Sequence, residues 1–191
     1  MITHVEHTFK PVYNCDSKVL ILGTMPSVKS REQGFYYGHP QNRFWRVLAQ
    51  IVGDLALEQS GTKKEVPQSI DEKRRMLLSG GIAVWDVLTA CDIEGSDDSS
   101  IRNPEPAEIG SVLDNTDIKA IFCNGDKAYR LYLKFFGETA AKQGWPPVKK
   151  LPSTSPANAA WSFERLTDAW RAELWPFLTK DGKKDGTNTE K

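Results

Sequence analysis

Cysteine is scarce. Cys15, Cys91 and Cys123 are the only three in 191 residues, too few and too scattered for a disulfide framework or a C-x-x-C metal site. They also fall short of the four thiolates that hold an iron–sulfur cluster. No apolar run reaches the ~18 residues of a membrane span, and residues 1–7 have neither the basic region nor the apolar core of a signal peptide. A cytoplasmic protein without membrane contact is the expectation. Net charge is missing too: Lys and Arg total 25, as do Asp and Glu, so no global field steers the chain toward nucleic acid. Any such contact must be local. The G-x-G-x-x-G and G-K-[ST] patterns are absent, which leaves a dinucleotide or nucleoside-triphosphate site unsupported.

What remains is an ordinary globular composition, 39% hydrophobic and 26% charged. The length suits one domain over residues 1–179, followed by a polar tail over 180–191 whose composition predicts disorder. Four short apolar segments, 18–23, 81–88, 118–125 and 148–152, have the length of buried strands, and segments of helical period separate them. Phe44, Val47, Leu48 and Ile51 repeat at helical spacing, with Gly53 expected to close the pattern. A second helix is predicted over 71–79 and a short one around Ile109, Val112 and Leu113. A third long helix opens at Asp126 and is expected to end at Gly137, and the last runs from Asn158 to Pro176. Strands alternating with helices predict an α/β fold with a parallel sheet and right-handed crossovers. Residues 58–69 and 94–108 read as surface loops.

In such a sheet, ligands bind beyond the carboxyl ends of the strands. Three turns fall there. Gly23-Thr24-Met25-Pro26-Ser27 would let a ligand approach the backbone at Gly23, while Ser27 and Ser30 could bond a phosphate; the plainer reading is a turn after a strand. Ser153-Thr154-Ser155-Pro156-Ala157-Asn158 sets three hydroxyls between prolines before a helix, a rigid anion site, or else a turn with Asn158 as its N-cap. The sheet would bring both to one edge, two phosphate clamps flanking a pocket. The third turn, Asn124-Gly125-Asp126-Lys127, could add a lysine contact or be only a connection. Between the clamps in sequence lie Tyr36, Tyr37, His39 and Asn42. Aromatic faces beside a carboxamide suit a flat heterocycle, stacked on the ring and read by the amide. Asn is equally a preferred N-cap, and position alone favours capping for Asn42. Tyr129, Tyr132 and Trp170 read as core, and His4 and His7 as solvated near the N-terminus.

The segment Tyr37-Gly38-His39-Pro40-Gln41-Asn42-Arg43-Phe44-Trp45 resembles one shared by two branches of the uracil-DNA glycosylase superfamily, the mismatch-specific uracil/thymine glycosylases and the hypoxanthine-DNA glycosylases. With the turns at 23–27 and 151–158, the chain looks more like the hypoxanthine branch. The resemblance spans about residues 18–178. It implies a three-layer α/β/α sandwich around a four-stranded parallel sheet, base flipping from double-stranded DNA, and hydrolysis of the N-glycosidic bond of a deaminated base without metal or cofactor. It implies catalysis by Asn42 and stacking of the base on Tyr37. Gly23, Thr24, Met25 and Ser153 would complete the base pocket. Ser27, Lys29, Ser30, His39, Lys127, Thr154, Ser155, Pro156, Ala157 and Asn158 would contact DNA. The chain departs from the family pattern at Met25, where most branches carry an Asp or Asn that positions water, and at Ala157, where many carry a Leu wedge.

Glycosidic cleavage passes through an oxocarbenium-like sugar. Asn42 would therefore orient water or polarise the base, and the amides around residues 23–25 would stabilise the base anion as an oxyanion hole does. Lys29 and Lys127 serve phosphates more simply than a Schiff base, so lyase activity is not expected. A monomeric, monofunctional glycosylase acting on hypoxanthine is the leading reading. A G:T/U mismatch-specific uracil/thymine glycosylase stands second. Met25 keeps open a non-catalytic DNA-binding module or another hydrolase on the same scaffold.

Overall fold

The computed structural model describes residues 1–61 and 65–179. Their elements run β1 (Ile2–Glu6), β2 (Val19–Gly23), α1 (Val28–Gln33), α2 (Phe44–Ser60), α3 (Ile70–Ser79), β3 (Ile82–Asp86) and β4 (Leu88–Glu94). A single 3-10 turn, Asp98–Ser100, leads into β5 (Arg102–Pro106), α4 (Ile109–Leu113), β6 (Ala120–Asn124), α5 (Asp126–Gln143), β7 (Val148–Leu151) and α6 (Phe163–Leu178).

Four strands form the expected parallel sheet in the order β3-β2-β6-β7, flanked by helices. Every residue of its inner strands β2 and β6 is buried, which is why they read as unbroken apolar runs. Helices α2 and α6 pack on each other, with Phe44 edge-on to Trp170 at 5.8 Å, and α5 covers β6 and β7. Tyr132 and Trp170 are fully buried in the core as expected, and Tyr129 packs against it.

A second sheet, β1-β4-β5, is antiparallel and lay outside the sequence reading. Only Val5 of β1 is buried, so no apolar alternation marks that strand. β5 reads Arg-Asn-Pro-Glu-Pro, and two prolines argued for a loop; as an edge strand it tolerates them. The segment expected as one strand over 81–88 turns at Val87 and continues as β4 into this second sheet.

Three helix ends also differ. Helix α2 passes Gly53 because Val52 and Leu55 stay buried, and it stops at Gly61, whose φ of 69° is left-handed. Helix α5 passes Gly137 and ends at Gly144, φ 65°. Helix α6 begins at Phe163, capped by the Ser162 hydroxyl on the Arg165 N–H at 3.2 Å, and Pro176 sits within its last turns. The 180–191 tail lies outside the described residues, as do 62–64 of the predicted 58–69 loop. No described helix is long and apolar enough to cross a membrane.

Candidate active site

Because the four strands run parallel, their carboxyl ends share an edge: Asp86 ends β3, Gly23 ends β2, Asn124 ends β6, and Ser153 follows β7. A cavity of about 340 Å³ opens there. Its wall contains all five expected base-pocket residues, Gly23, Thr24, Met25, Tyr37 and Ser153, together with Asn42. Ser27, Lys29, Ser30, His39, Thr154, Ser155 and Pro156 line it too. Lys127, Ala157 and Asn158 do not; they border an adjoining groove of about 1020 Å³ that shares Ser96, Asp98, Asn124, Ser153 and Ser155 with the cavity.

The first turn is stitched to the sheet by its backbone. The Val87 N–H donates to the Gly23 carbonyl at 2.9 Å and the Leu88 N–H to the Thr24 carbonyl at 3.2 Å. A Cβ on Gly23 would lie 2.2 Å from Asp86 Oδ1 and 3.1 Å from Tyr37 Oη, so only glycine fits between them. Ser27 caps α1 by accepting the Ser30 N–H at 3.2 Å. Ser30 is buried; its hydroxyl pairs with that of Ser27 at 3.0 Å and accepts the Gly38 N–H at 3.0 Å. These serines thus shape the turn carrying Tyr37 before they can meet any phosphate. Lys29 is exposed and paired with Glu32 at 2.7 Å.

Tyr37 takes a left-handed φ of 52°, uncommon for a non-glycine residue, and stacks on Phe44 with ring centres 3.8 Å apart. Its hydroxyl is buried beside the Asn124 carboxamide yet makes no well-formed hydrogen bond within the protein. Burial, and then the Asp86 charge, push the phenol far above its ordinary ionisation range, so it stays neutral. Asn42 is not the expected N-cap, a position that Arg43 holds without a side-chain cap bond. Its Oδ1 accepts the Phe44 N–H at 3.0 Å at the head of α2, while its NH₂ lacks a partner among the described residues. His39 Nδ1 accepts the Gln41 N–H at 3.2 Å.

The second clamp is held from two sides. Asn124 Nδ2 donates to Thr154 Oγ1 and its Oδ1 accepts the Thr154 N–H, both at 2.9 Å. Arg43 donates to the carbonyls of Ser155 and Asn158 at 3.0 Å each and to that of Trp161. Thr154 is fully buried and belongs to this scaffold. Asn158 caps nothing; its Nδ2 donates to the Ser153 carbonyl at 2.9 Å, which frees Ser162 to start α6.

The sequence profile of the uracil DNA glycosylase superfamily matches residues 10–179. The chain belongs to that superfamily. It is 30% identical over 171 residues to a hypoxanthine DNA glycosylase of Methanosarcina acetivorans, covering 88% of this chain and 97% of the relative. A hypoxanthine DNA glycosylase of Methanosarcina barkeri is 34% identical over 123 residues, 63% of this chain and 71% of that one. In three dimensions the chain is similar to an NMR structure from M. acetivorans, provisionally assigned as a uracil DNA glycosylase, with a TM-score of 0.67 and 27% identity over 90% of this chain and 98% of the other.

Two acidic residues, Asp86 and Asp98, also line the cavity, and neither is among the residues the sequence points to. Asp86 is buried, and its Oδ2 lies 3.0 Å from His7 Nε2. The His7 side chain is only 3% exposed and rests edge-on against Phe9 at 4.6 Å, so it is not the solvated residue expected. The chain leaves β1 toward the sheet edge, the His7 N–H donating to the Thr89 carbonyl at 2.7 Å, and this carries the ring inward. His4 alone stays on the surface, beside Asp92. Asp98 reaches the cavity from the 3-10 turn and accepts the Thr24 hydroxyl on Oδ2 at 3.1 Å. A lone carboxylate inside the apolar 81–88 run is the available signal for Asp86. Asp98 sat in a Ser/Asp run that reads as solvent-facing loop.

Proposed function

We propose that this protein is a monofunctional DNA glycosylase that hydrolyses the N-glycosidic bond of deaminated bases flipped out of double-stranded DNA, hypoxanthine first and uracil in mismatches second. A cytoplasmic monomer working without metal or cofactor completes the proposal. The observation that carries it is the cavity at the sheet edge. Its volume suits a small flat ligand, its wall carries the Tyr37 ring and the Asn42 carboxamide, and it adjoins a groove bordered by the second clamp. The names of the two Methanosarcina relatives support hypoxanthine as the base.

In this reading the extruded base stacks on the face of the Tyr37 ring turned away from Phe44. The free NH₂ of Asn42 donates to the base carbonyl or ring nitrogen as negative charge gathers there, and backbone amides of residues 23–25 share that charge. Ser155, Lys29, Lys127 and the backbone of 156–158 hold the phosphates on either side. Ala157 is too small to fill the vacated stack, so the complex favours bases that are already mispaired. Extrusion costs a few kcal/mol and least at a mispair, which is where deaminated bases occur.

The test is alkali-revealed strand cleavage of duplexes carrying one deoxyinosine, one uracil opposite guanine, or no lesion, with the wild type beside Asn42→Ala. Cleavage at deoxyinosine, lost in a folded variant that still binds the duplex, is the expected result. Absence of cleavage by the wild type on every duplex, with binding intact, would make the protein a reader of DNA.

A further inference from the structure

Adding water across the glycosidic bond requires a group that accepts the water's proton and tolerates a cationic sugar beside it. Among the described residues of the cavity wall, few can do so. The Asn42 amide has no basic lone pair near neutral pH, and its oxygen already accepts from α2. The phenol of Tyr37 stays protonated. His39 uses Nδ1 to accept the Gln41 N–H, so its neutral ring offers only an N–H at Nε2. Asp86 is buried at the floor, with Oδ2 on His7 and Oδ1 close against Gly23, whereas Asp98 is partly exposed to the cavity.

Asp98 is different. It lines both the cavity and the adjoining groove, so it stands at their junction, where on the glycosylase reading the base and sugar of a flipped nucleotide meet. One oxygen accepts the Thr24 hydroxyl, next to Met25, and the other has no protein partner among the described residues. Its turn is pinned. Asp97 Oδ1 accepts the Ser99 N–H at 2.9 Å, Ser100 Oγ accepts the Glu94 N–H at 2.8 Å, and Ser96 Oγ accepts the Val28 N–H at 3.0 Å.

We propose that Asp98 is the general base of the reaction, supplying from the β4–β5 connection the carboxylate that Met25 cannot. This assignment rests on the glycosylase reading above. As the bond from C1′ to the base nitrogen breaks, its electron pair leaves with the base. Water oxygen bonds to C1′ and gives one proton to the free Oδ1 of Asp98. Asp98 passes that proton to solvent and the departed base takes one up, so the sum is one water added across one bond. The groups facing the carboxyl are Thr24 after β2, Asp86 at the end of β3, the Tyr37 hydroxyl, Cys91 in β4, Asp97 in its own turn and Lys127 in α5. Burial, with a smaller contribution from Asp86, raises its ionisation above the ordinary carboxylate range, while the Thr24 hydroxyl and Lys127 oppose the rise. A base so tuned works closer to neutral pH.

The test is single-turnover excision from a deoxyinosine duplex, followed across pH with the full-length chain. For the wild type, the rate should climb with pH along one ionisation and then level. Asp98→Asn should lose roughly 10²–10⁴-fold at the plateau and lose the climb, while lesion-duplex binding stays within about threefold. Thr24→Val removes a hydrogen bond that favours the charged carboxylate, so its climb should move to higher pH; this variant decides the matter even if Asp98→Asn does not fold. Retention of the climb by folded Asp98→Asn, an unshifted climb in Thr24→Val, or a wild-type rate that falls with pH would each overturn the assignment. A wild type that cleaves no lesion at any pH would instead remove the glycosylase reading beneath it.

Discussion

Gly23→Ala tests whether the pocket floor is as rigid as its contacts imply. The added Cβ would sit 2.2 Å from Asp86 Oδ1, far inside contact distance, and 3.1 Å from Tyr37 Oη. Two responses are open. Asp86 can rotate away and lose its hydrogen bond to His7, inside a site where both side chains are at most 6% exposed; a bond to a charged group is worth about 1.5–3 kcal/mol. Or the carboxylate stays and the strand ends shift apart, and overpacking of that kind costs roughly 1–3 kcal/mol. Either route predicts a loss of about 2 kcal/mol in urea unfolding with the slope unchanged, read against the wild type. The decisive assay is a double-mutant cycle. In an Asp86→Ala background the struck atom is gone, so the same Gly23→Ala change should lose less than half as much, a coupling that contacting residues show and distant ones do not. An equal loss in both backgrounds would mean that the penalty arises in the strand itself and that Asp86 does not press on Gly23.

Two further outcomes follow from buried groups in the same cavity. Tyr37→Phe deletes a buried hydroxyl without a well-formed protein hydrogen bond, so stability should hold or rise by up to ~1 kcal/mol and affinity for a deoxyinosine duplex should hold, whereas Tyr37→Ala removes the stacking ring and should lower that affinity without lowering affinity for undamaged duplex. Equal losses on both duplexes for Tyr37→Ala would take the ring out of base recognition. Asp98 is held above the ordinary carboxylate range chiefly by burial, so the folded protein binds its proton more tightly than the unfolded chain, and stability falls as pH rises from about 4 through its ionisation. Asp98→Asn lifts that loss: it should melt above the wild type near pH ~8, and the gap should close toward pH ~4. A wild type that melts higher near pH ~8 would contradict the sign.

The parallel sheet was legible because burial on both faces writes strands as continuous apolar runs, as Leu20-Ile21-Leu22 does. The second sheet was not, because β1 buries one residue of five and β5 carries two prolines. Glycines misled where packing overrode them: Gly53 and Gly137 sit inside helices whose apolar faces continue beyond them, and the true ends fall at Gly61 and Gly144, which take the left-handed conformation. The site was legible as far as it is written in contiguous residues. Gly23, Tyr37, Asn42 and Ser153 could be named because each lies in a turn with a chemistry of its own, and the parallel topology then gathers them.

The acidic groups escaped for the opposite reason. A carboxylate in a run such as Asp97-Asp98-Ser99-Ser100 is usually solvated, and nothing local separates Asp97, an exposed cap, from Asp98, which faces the cavity. The distinction comes from a partner 74 residues away, the Thr24 hydroxyl, just as the burial of His7 comes from Asp86, 79 residues on. Hydrolysis needs a charge at a point in space, and any element that reaches the sheet edge can deliver it. Met25 brings no charge there, and the β4–β5 connection brings Asp98. The pairing of Thr24 with Asp98 ties the turn at Met25 to that carboxylate, which is why Thr24→Val, itself no change of charge, is expected to move the pH dependence of the reaction.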